Sequence, residues 1–169
     1  ACDCFLVSSV GTGQIGKVSL EGKYTPLTQD PELVSSFGLL VDEKRKRVLV
    51  ALGDYGWSQK SSALTRLKTA KLGVYDLNTG KRLQLIDLAA LRPSYRKHMA
   101  NDIAMDPEGN AYITDSFAPV IYKVTAAGKA SVFLEHALLG GGSFGQNGIV
   151  YHPSGHLIVA RSDNQGLYR

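Results

Sequence analysis

The chain has 169 residues, of which 44% are hydrophobic and 20% are charged, a composition that is ordinary for a globular all-β protein. No stretch approaches the ~20 consecutive apolar residues that a membrane span needs, and no secretory leader opens the sequence. We therefore expect a soluble protein with no membrane span. The sequence leaves its compartment open between the cytoplasm and a secreted or periplasmic location.

Four segments with strand-like patterns follow one another along the chain. Residues 1–35 predict a partial unit, with strands near 5–9 and 15–18. Residues 36–88 predict a fuller unit, with strands near 37–42, 48–50, 72–75 and 82–88 and an inserted loop near 53–70. Residues 100–136 predict a complete unit of four strands at 102–106, 111–115, 120–125 and 130–134, joined by short turns. Residues 146–169 predict a second partial unit.

The last two segments are copies of each other. Residues 100–123 match residues 146–169 without a gap, which gives a period of 146 − 100 = 46 residues. Asn101 matches Asn147, and Pro107 matches Pro153. A strand-only repeat of roughly 40 to 50 residues is typical of β-propeller blades. The sequence therefore predicts an all-β chain that is one β-propeller portion over 1–169, with about three to four four-stranded antiparallel blades.

An incomplete propeller leaves apolar faces and strand edges uncovered. We therefore expect the rest of the propeller to be needed to close the fold.

The net charge of +4 raises the question of nucleic acid. The densest basic run, Lys44 to Arg47, falls between two predicted strands and is expected to be a solvated hairpin tip. No recognition helix or interleaved aromatic residues accompany it, so nucleic acid is not an expected partner.

The predicted topology collects the long connections on one face. In an antiparallel meander the insertion near 53–70 and the links 89–100 and 135–146 lie on the same side. Asn101 and Asn147 begin inner strands and are expected on that face, next to the central axis, where binding sites commonly form. Tyr55 and Trp57 of the insertion either form a lid over the mouth or pack on their own blade.

The two asparagines allow two interpretations. Amide oxygens suit Ca²⁺ and similar cations, which collect six to eight oxygen ligands. Two amides cannot hold a divalent ion alone, and Asp102 is expected to point away because it is the next residue along a strand. The alternative is that each asparagine only hydrogen-bonds the loop that turns into the inner strand.

The motifs around the asparagines resemble a known family. Asn101-Asp102 followed by Asp106-Pro107-Glu108-Gly109, and Asn147-Gly148 followed by Pro153-Ser154-Gly155, are similar to blades of the senescence marker protein, regucalcin and gluconolactonase group of six-bladed propellers, with paraoxonases as more distant relatives. The resemblance implies a metal at the axis held by Asn147, by a Glu that would lie before residue 1 and by an Asp that would lie after residue 169. It implies that Asn101 lies beside the ion and helps to hold substrate or water.

The sequence departs from the family at the residue two places before Asn101, where Met99 replaces a substrate-binding Arg. His98, Arg96 and Arg92 lie nearby and could contact an anionic substrate instead, or be part of a solvated loop.

The resulting hypothesis is a gluconolactonase-like, metal-dependent hydrolase of a small-molecule lactone or ester. Its catalytic residues would be Asn101 and Asp102, its substrate-binding residues Asn101, His98 and Arg96, and its metal ligands Asn147 and Asn101. The cofactor would be a divalent cation, with Ca²⁺ preferred and Zn²⁺ or Mg²⁺ as alternatives. The competing hypothesis is a non-enzymatic propeller that binds a ligand or protein partner on the same face.

Overall fold

The computed structural model describes residues 3–140 and 144–169, and the regular structure in these ranges consists of β-strands and two short 3₁₀ turns, Ala89–Leu91 and Ala137–Leu139. This confirms the all-β prediction. In chain order the strands are β1 (Cys4–Ser8), β2 (Ile15–Ser19), β3 (Tyr24–Thr28), β4 (Ser35–Asp42), β5 (Arg47–Gly53), β6 (Lys68–Thr69), β7 (Lys71–Asp76), β8 (Arg82–Asp87), β9 (His98–Met105), β10 (Ala111–Asp115), β11 (Val120–Val124), β12 (Ala130–Glu135), β13 (Gln146–His152), β14 (His156–Arg161) and β15 (Gly166–Tyr168).

The strands form four sheets that follow one another along the chain. Their orders are β1-β2-β3, β4-β5-β7-β8, β12-β11-β10-β9-β6 and β13-β14-β15. All pairs are antiparallel except β6 with β9, where Lys68 and Thr69 lie beside His98 and Met99 in a parallel pair. The inserted loop of the second sheet therefore adds a short strand to the inner edge of the third.

The hydrophobic core lies between neighbouring sheets. On β5, Val48 and Val50 pack toward the first sheet, whereas Leu49 and Ala51 pack toward the third. Alternate residues of a strand point to opposite faces, so β5 is buried on both sides. A third cluster, around Tyr112 and Ile149 and other apolar side chains, joins the third sheet to the fourth. Within the described ranges no helix is long and apolar enough to cross a membrane.

The basic run between β4 and β5 is part of a contact between sheets. Lys44 and Lys46 are exposed, but Arg47 is buried. Its guanidinium donates to Asp42 Oδ2 at 2.9 Å, to the Gly109 carbonyl at 3.0 Å and to the Ala126 carbonyl at 3.2 Å. The expectation of a solvated tip was wrong for this residue, because a planar guanidinium can satisfy one carboxylate and two backbone carbonyls at once.

We predict that Arg47→Met destabilises the protein by about 3 kcal/mol, because it leaves the buried Asp42 carboxylate without its main partner. Urea unfolding measures the change in the free energy of unfolding. Lys44→Met, in the same turn but exposed, serves as the control and should change it by less than about 0.5 kcal/mol. Equal effects of the two substitutions would contradict the assigned contact.

Candidate functional site

The first strands of the second, third and fourth sheets, β4, β9 and β13, are the inner strands, and each carries a β-bulge at the same place. In the third sheet Ala100 pairs with Asp115 and Ile103 with Ile113, so Asn101 and Asp102 lie together opposite Thr114. The fourth sheet places Asn147 and Gly148 in the same way opposite Ala160, and the second places Phe37 and Gly38 opposite Ala51. A bulge sets two residues against one and re-aims their side chains. The sequence repeat thus corresponds to a repeated backbone irregularity.

The two asparagines make the same hydrogen bond in their respective sheets. Asn101 Nδ2 donates to Ser116 Oγ at 2.8 Å, and Asn147 Nδ2 donates to Ser162 Oγ at 3.0 Å. The two serines are equivalent under the 46-residue repeat. Asn101 is buried and Asn147 is exposed. Each amide plane is therefore fixed through its nitrogen, and the carbonyl oxygen Oδ1 of each side chain is directed away from the serine.

The second sheet replaces this polar pair by an apolar one. Phe37 stands in place of the asparagine, and Gly53 stands in place of the serine. A Cβ on Gly53 would lie 2.4 Å from Met99 Cγ and 3.1 Å from Phe37 Cε2, so no side chain fits there without a shift. The phenyl ring fills the room that the Asn–Ser pair uses elsewhere.

Hydroxyl groups connect two of the three bulges, those at Phe37 and Asn147, to the sheet before them. Thr114 Oγ1 donates to the Asn147 carbonyl at 2.8 Å, and Ser8 Oγ donates to the Phe37 carbonyl at 2.7 Å. Ser116 Oγ also donates to the Gln146 carbonyl at 2.7 Å. These bonds satisfy carbonyls that the bulge removes from the ladder. Thr114 and Ser116 were not among the site residues predicted from the sequence. The feature that could have indicated them is the polar run 114–116 at the end of an apolar strand.

Asp102 lies between the inner strands of the two neighbouring sheets. Its Oδ2 accepts a hydrogen bond from the Ile149 amide at 3.0 Å. A Cβ on Gly38 would lie 2.5 Å from Asp102 Oδ1, which places the carboxylate against the second sheet as well. Simple alternation along the strand does not hold here because of the bulge: both Asn101, through Ser116, and Asp102 reach backbone groups of β13.

His98 is buried, and both of its ring nitrogens have partners. Nδ1 lies 2.8 Å from Asp115 Oδ2, and Nε2 lies 3.1 Å from the Arg92 carbonyl. Asp115 Oδ1 accepts from the Met99, Phe117 and Ala118 amides. In this arrangement His98 and Asp115 fix the connection after β10, and no ring nitrogen of His98 is left for a substrate.

The two arginines of the link before β9 differ in their surroundings. Arg96 is exposed. Arg92 donates from Nε to Glu135 Oε2 at 2.6 Å, and the same carboxylate accepts from Tyr95 at 2.8 Å. Arg92 is thus joined to the end of β12, whereas Arg96 keeps the accessibility that the substrate-binding prediction requires of it.

The inserted loop is organised by a buried carboxylate that the sequence did not single out. Asp54 is 0% exposed. Its Oδ1 accepts from the Gly56 amide at 2.7 Å and from Ser61 Oγ at 2.5 Å, and its Oδ2 accepts from Thr65 Oγ1 at 2.7 Å. Tyr55 extends from this loop to contact the rings of Phe117 and Phe144. Tyr55 therefore packs beyond its own sheet, whereas Trp57 contacts Tyr55 and remains exposed.

The side-chain oxygens at the bulges fit an oxygen-seeking cation in chemical type. Asn101 and Asn147 have amide oxygens free of the serine contact, and Asp102 supplies a carboxylate beside them, although its Oδ2 already accepts from Ile149. Ca²⁺ takes six to eight oxygen ligands. In residues 3–140 and 144–169 no group of three or more His, Cys, Asp or Glu side chains is placed to hold a metal. A complete site would need further ligands.

Comparison with known proteins supports the fold. No family model and no curated protein matches the sequence. Among solved structures, the chain is similar to the allergen Mala s 1 from Malassezia sympodialis (TM-score 0.73, 19% identity, 94% of this chain and 54% of that one). It is also similar to a candidate gluconolactonase (TM-score 0.66, 14% identity, 99% of this chain and 55% of that one). A third similar structure is virginiamycin B lyase from Staphylococcus aureus (TM-score 0.60, 12% identity, 93% of this chain and 48% of that one). At these identities the similarity shows a propeller-like fold, and the chain spans about half the length of the structures it matches.

The environment of His98 predicts a pH dependence of stability. Burial opposes its charge, but the hydrogen bond and the charge of Asp115, together with the backbone hydrogen bonds of Arg92 and Tyr95, outweigh burial and raise the pKa of His98 above its ordinary value of 6.5. A raised folded-state pKa gives stability that is fully present below the unfolded pKa and is lost as the pH rises through the folded pKa. We therefore expect the free energy of unfolding to fall from about pH 6.5 upward.

Denaturant unfolding between pH 5 and 9 tests this pH dependence. His98→Gln should remove this part of the slope, whereas His136→Gln, at an exposed site, should keep it. An unchanged slope in His98→Gln would show that the His98–Asp115 pair does not carry the effect.

Proposed function

We propose that the protein is a propeller hydrolase that acts on a lactone or ester at the face where Asn101 and Asn147 lie. The observation that carries the proposal is the pair of equivalent asparagines, each at a bulge and each oriented by a serine. The structural similarity to a candidate gluconolactonase supports it, as does the motif resemblance to the regucalcin and gluconolactonase group. We propose a complete propeller of about six four-stranded blades as the active form.

The residues of this chain have distinct roles in the proposal. Asn147 and Asn101 would present amide oxygens to a divalent cation, preferably Ca²⁺, with Zn²⁺ or Mg²⁺ as alternatives. Such a cation would supply Lewis-acid polarisation of the substrate carbonyl and a bound water of lowered pKa. Asn101 would also orient the substrate. Asp102 would hold β13 through the Ile149 amide and so keep Asn147 in position, and exposed Arg96 would attract an anionic substrate.

One observation favours a second candidate, a propeller that binds a ligand without transforming it. The Asp102 carboxylate is committed to a backbone amide, and His98 is committed to Asp115. The acid and base groups nearest to Asn101 therefore already serve the fold. A binding module needs only the amides and the surrounding loops.

We predict that Asn147→Ala lowers both the affinity for Ca²⁺ and kcat/KM for lactone hydrolysis by about 10- to 100-fold, because a contact with a charged group is worth about 1.5–3 kcal/mol. Calorimetry measures the first quantity and acid release at constant pH the second. The protein used should be the complete propeller.

Asn78→Ala is the matched control, because Asn78 is an exposed asparagine in the turn between β7 and β8, on the opposite face. It should leave both quantities unchanged. Hydrolysis that persists after chelation would overturn the metal-dependent mechanism. Ligand binding with no hydrolysis of any lactone or ester would favour the binding module.

A further inference from the structure

Four aromatic rings meet on the face of the long loops. The rings of Tyr55 and Trp57 are 4.3 Å apart between centroids, and Tyr55 lies 5.9 Å from Phe117 and 6.1 Å from Phe144. Phe117 and Phe144 are 5.9 Å apart in an edge-to-face arrangement. These separations are in the range of interacting aromatic pairs. We call Tyr55, Trp57, Phe117 and Phe144 the aromatic cluster.

The cluster is assembled from three separate parts of the chain. Tyr55 and Trp57 belong to the inserted loop, Phe117 to the connection after β10, and Phe144 to the link before β13. Buried carboxylates hold two of these parts: Asp54 fixes the inserted loop, and Asp115 accepts from the Phe117 amide. The rings are therefore positioned by the loops in advance of any ligand.

The cluster is open to solvent. Trp57 is 64% exposed, and none of the other three rings belongs to a fully buried residue. Contiguous exposed apolar patches mark binding surfaces, whereas single exposed apolar residues are common. Here the tryptophan, which has the largest stacking surface of any side chain, stands at the outside of the cluster.

The aromatic cluster adjoins the two asparagines in the sequence and in space. Phe117 directly follows Ser116, which accepts the hydrogen bond of Asn101. Phe144 precedes Gly145, whose amide donates to the Ser116 carbonyl at 2.9 Å, and Asn147 follows two residues later. Phe117 and Phe144 thus lie next in sequence to residues that meet at Ser116, and the aromatic cluster and the two asparagines belong to the same face.

We propose that this surface selects a lactone or ester that carries an aryl group, with the carbonyl at the asparagines and the aryl ring against the aromatic cluster. The inference rests on the proposed function and narrows its substrate class away from small polyhydroxylated lactones. In the reaction, water adds to the carbonyl carbon, the acyl C–O bond breaks, and the released alkoxide takes up the proton that the water gives up. A lactone then yields a hydroxy acid, and an ester yields an acid and an alcohol.

The fluorescence of Trp57, the one tryptophan among these 169 residues, provides a direct test. In the complete propeller its emission is the part that a Trp57→Phe variant loses. Titration with γ-phenyl-γ-butyrolactone should change the emission saturably. Unsubstituted γ-butyrolactone, which has the same reacting ring, should bind at least about tenfold more weakly. Phe117→Ala should weaken binding of the phenyl compound about two- to tenfold.

Two further variants serve as controls. Phe117→Leu keeps most of the apolar volume without the ring, so it tests the aromatic contact if the alanine variant fails to fold. Phe133→Ala removes a phenylalanine that is also exposed, at 49%, but lies on the outer strand β12. It should leave binding of the phenyl compound unchanged.

The outcomes separate this inference from the proposed function. Saturable binding of the phenyl lactone without hydrolysis would support the aromatic cluster as a binding surface and overturn the hydrolase. Hydrolysis of both lactones with equal kcat/KM, together with no effect of Phe117→Ala or Phe117→Leu, would overturn the role of the cluster and leave the hydrolase in place.

Discussion

The bulge in each inner strand determines where the polar side chains of this protein lie. A regular strand would send Asn101 and Asp102 to opposite faces, but at the bulge Asp102 contacts the next sheet directly and Asn101 is joined to it through Ser116. It also frees backbone carbonyls from the ladder, and the hydroxyls of Ser8, Thr114 and Ser116 reach across to satisfy them. The same irregularity thus creates the candidate site and joins the sheets around it.

The residue at the bulge and the residue beside it on the neighbouring strand change together from sheet to sheet. These paired changes determine which parts of the site are polar and which are apolar. Where the strand residue is asparagine, its neighbour is a serine that fixes the amide; where it is Phe37, its neighbour is Gly53, because the ring and Met99 leave no room for a side chain. The inner strands therefore present two oriented amides, Asn101 and Asn147, and one apolar side chain, Phe37 of the second sheet.

The repeat made much of the fold predictable, and the reason is physical. Apolar alternation and short turns specify strands locally, so the strands near 111–115 and 120–124 could be placed from the sequence alone. Contacts that depend on a neighbouring sheet could not. The Arg47 side chain was assigned to solvent because its carbonyl partners lie more than sixty residues away, and β6 was missed because two residues in a loop carry no periodic signal. The partners of His98 lie in its own sheet and in the link before β9, and they were missed because strand periodicity does not specify which polar side chains pair.

The loops on the candidate face are held differently from the sheets that support them. The sheets are stabilised by many apolar contacts, each of which contributes little energy. A single substitution therefore removes only a small part of the packing energy of a sheet. The loops depend on single buried or half-buried charges that collect several backbone or hydroxyl partners: Asp54 in the insertion, Asp115 after β10, and Arg161, which donates to the Leu138 and Gly140 carbonyls. Removal of such a side chain leaves its backbone or hydroxyl partners without a hydrogen bond, which costs about 1–3 kcal/mol for each buried group. Loss of one should therefore displace a whole loop while the strands stay in place, which makes these three residues determinants of the shape of the binding face even though none of them needs to touch a ligand.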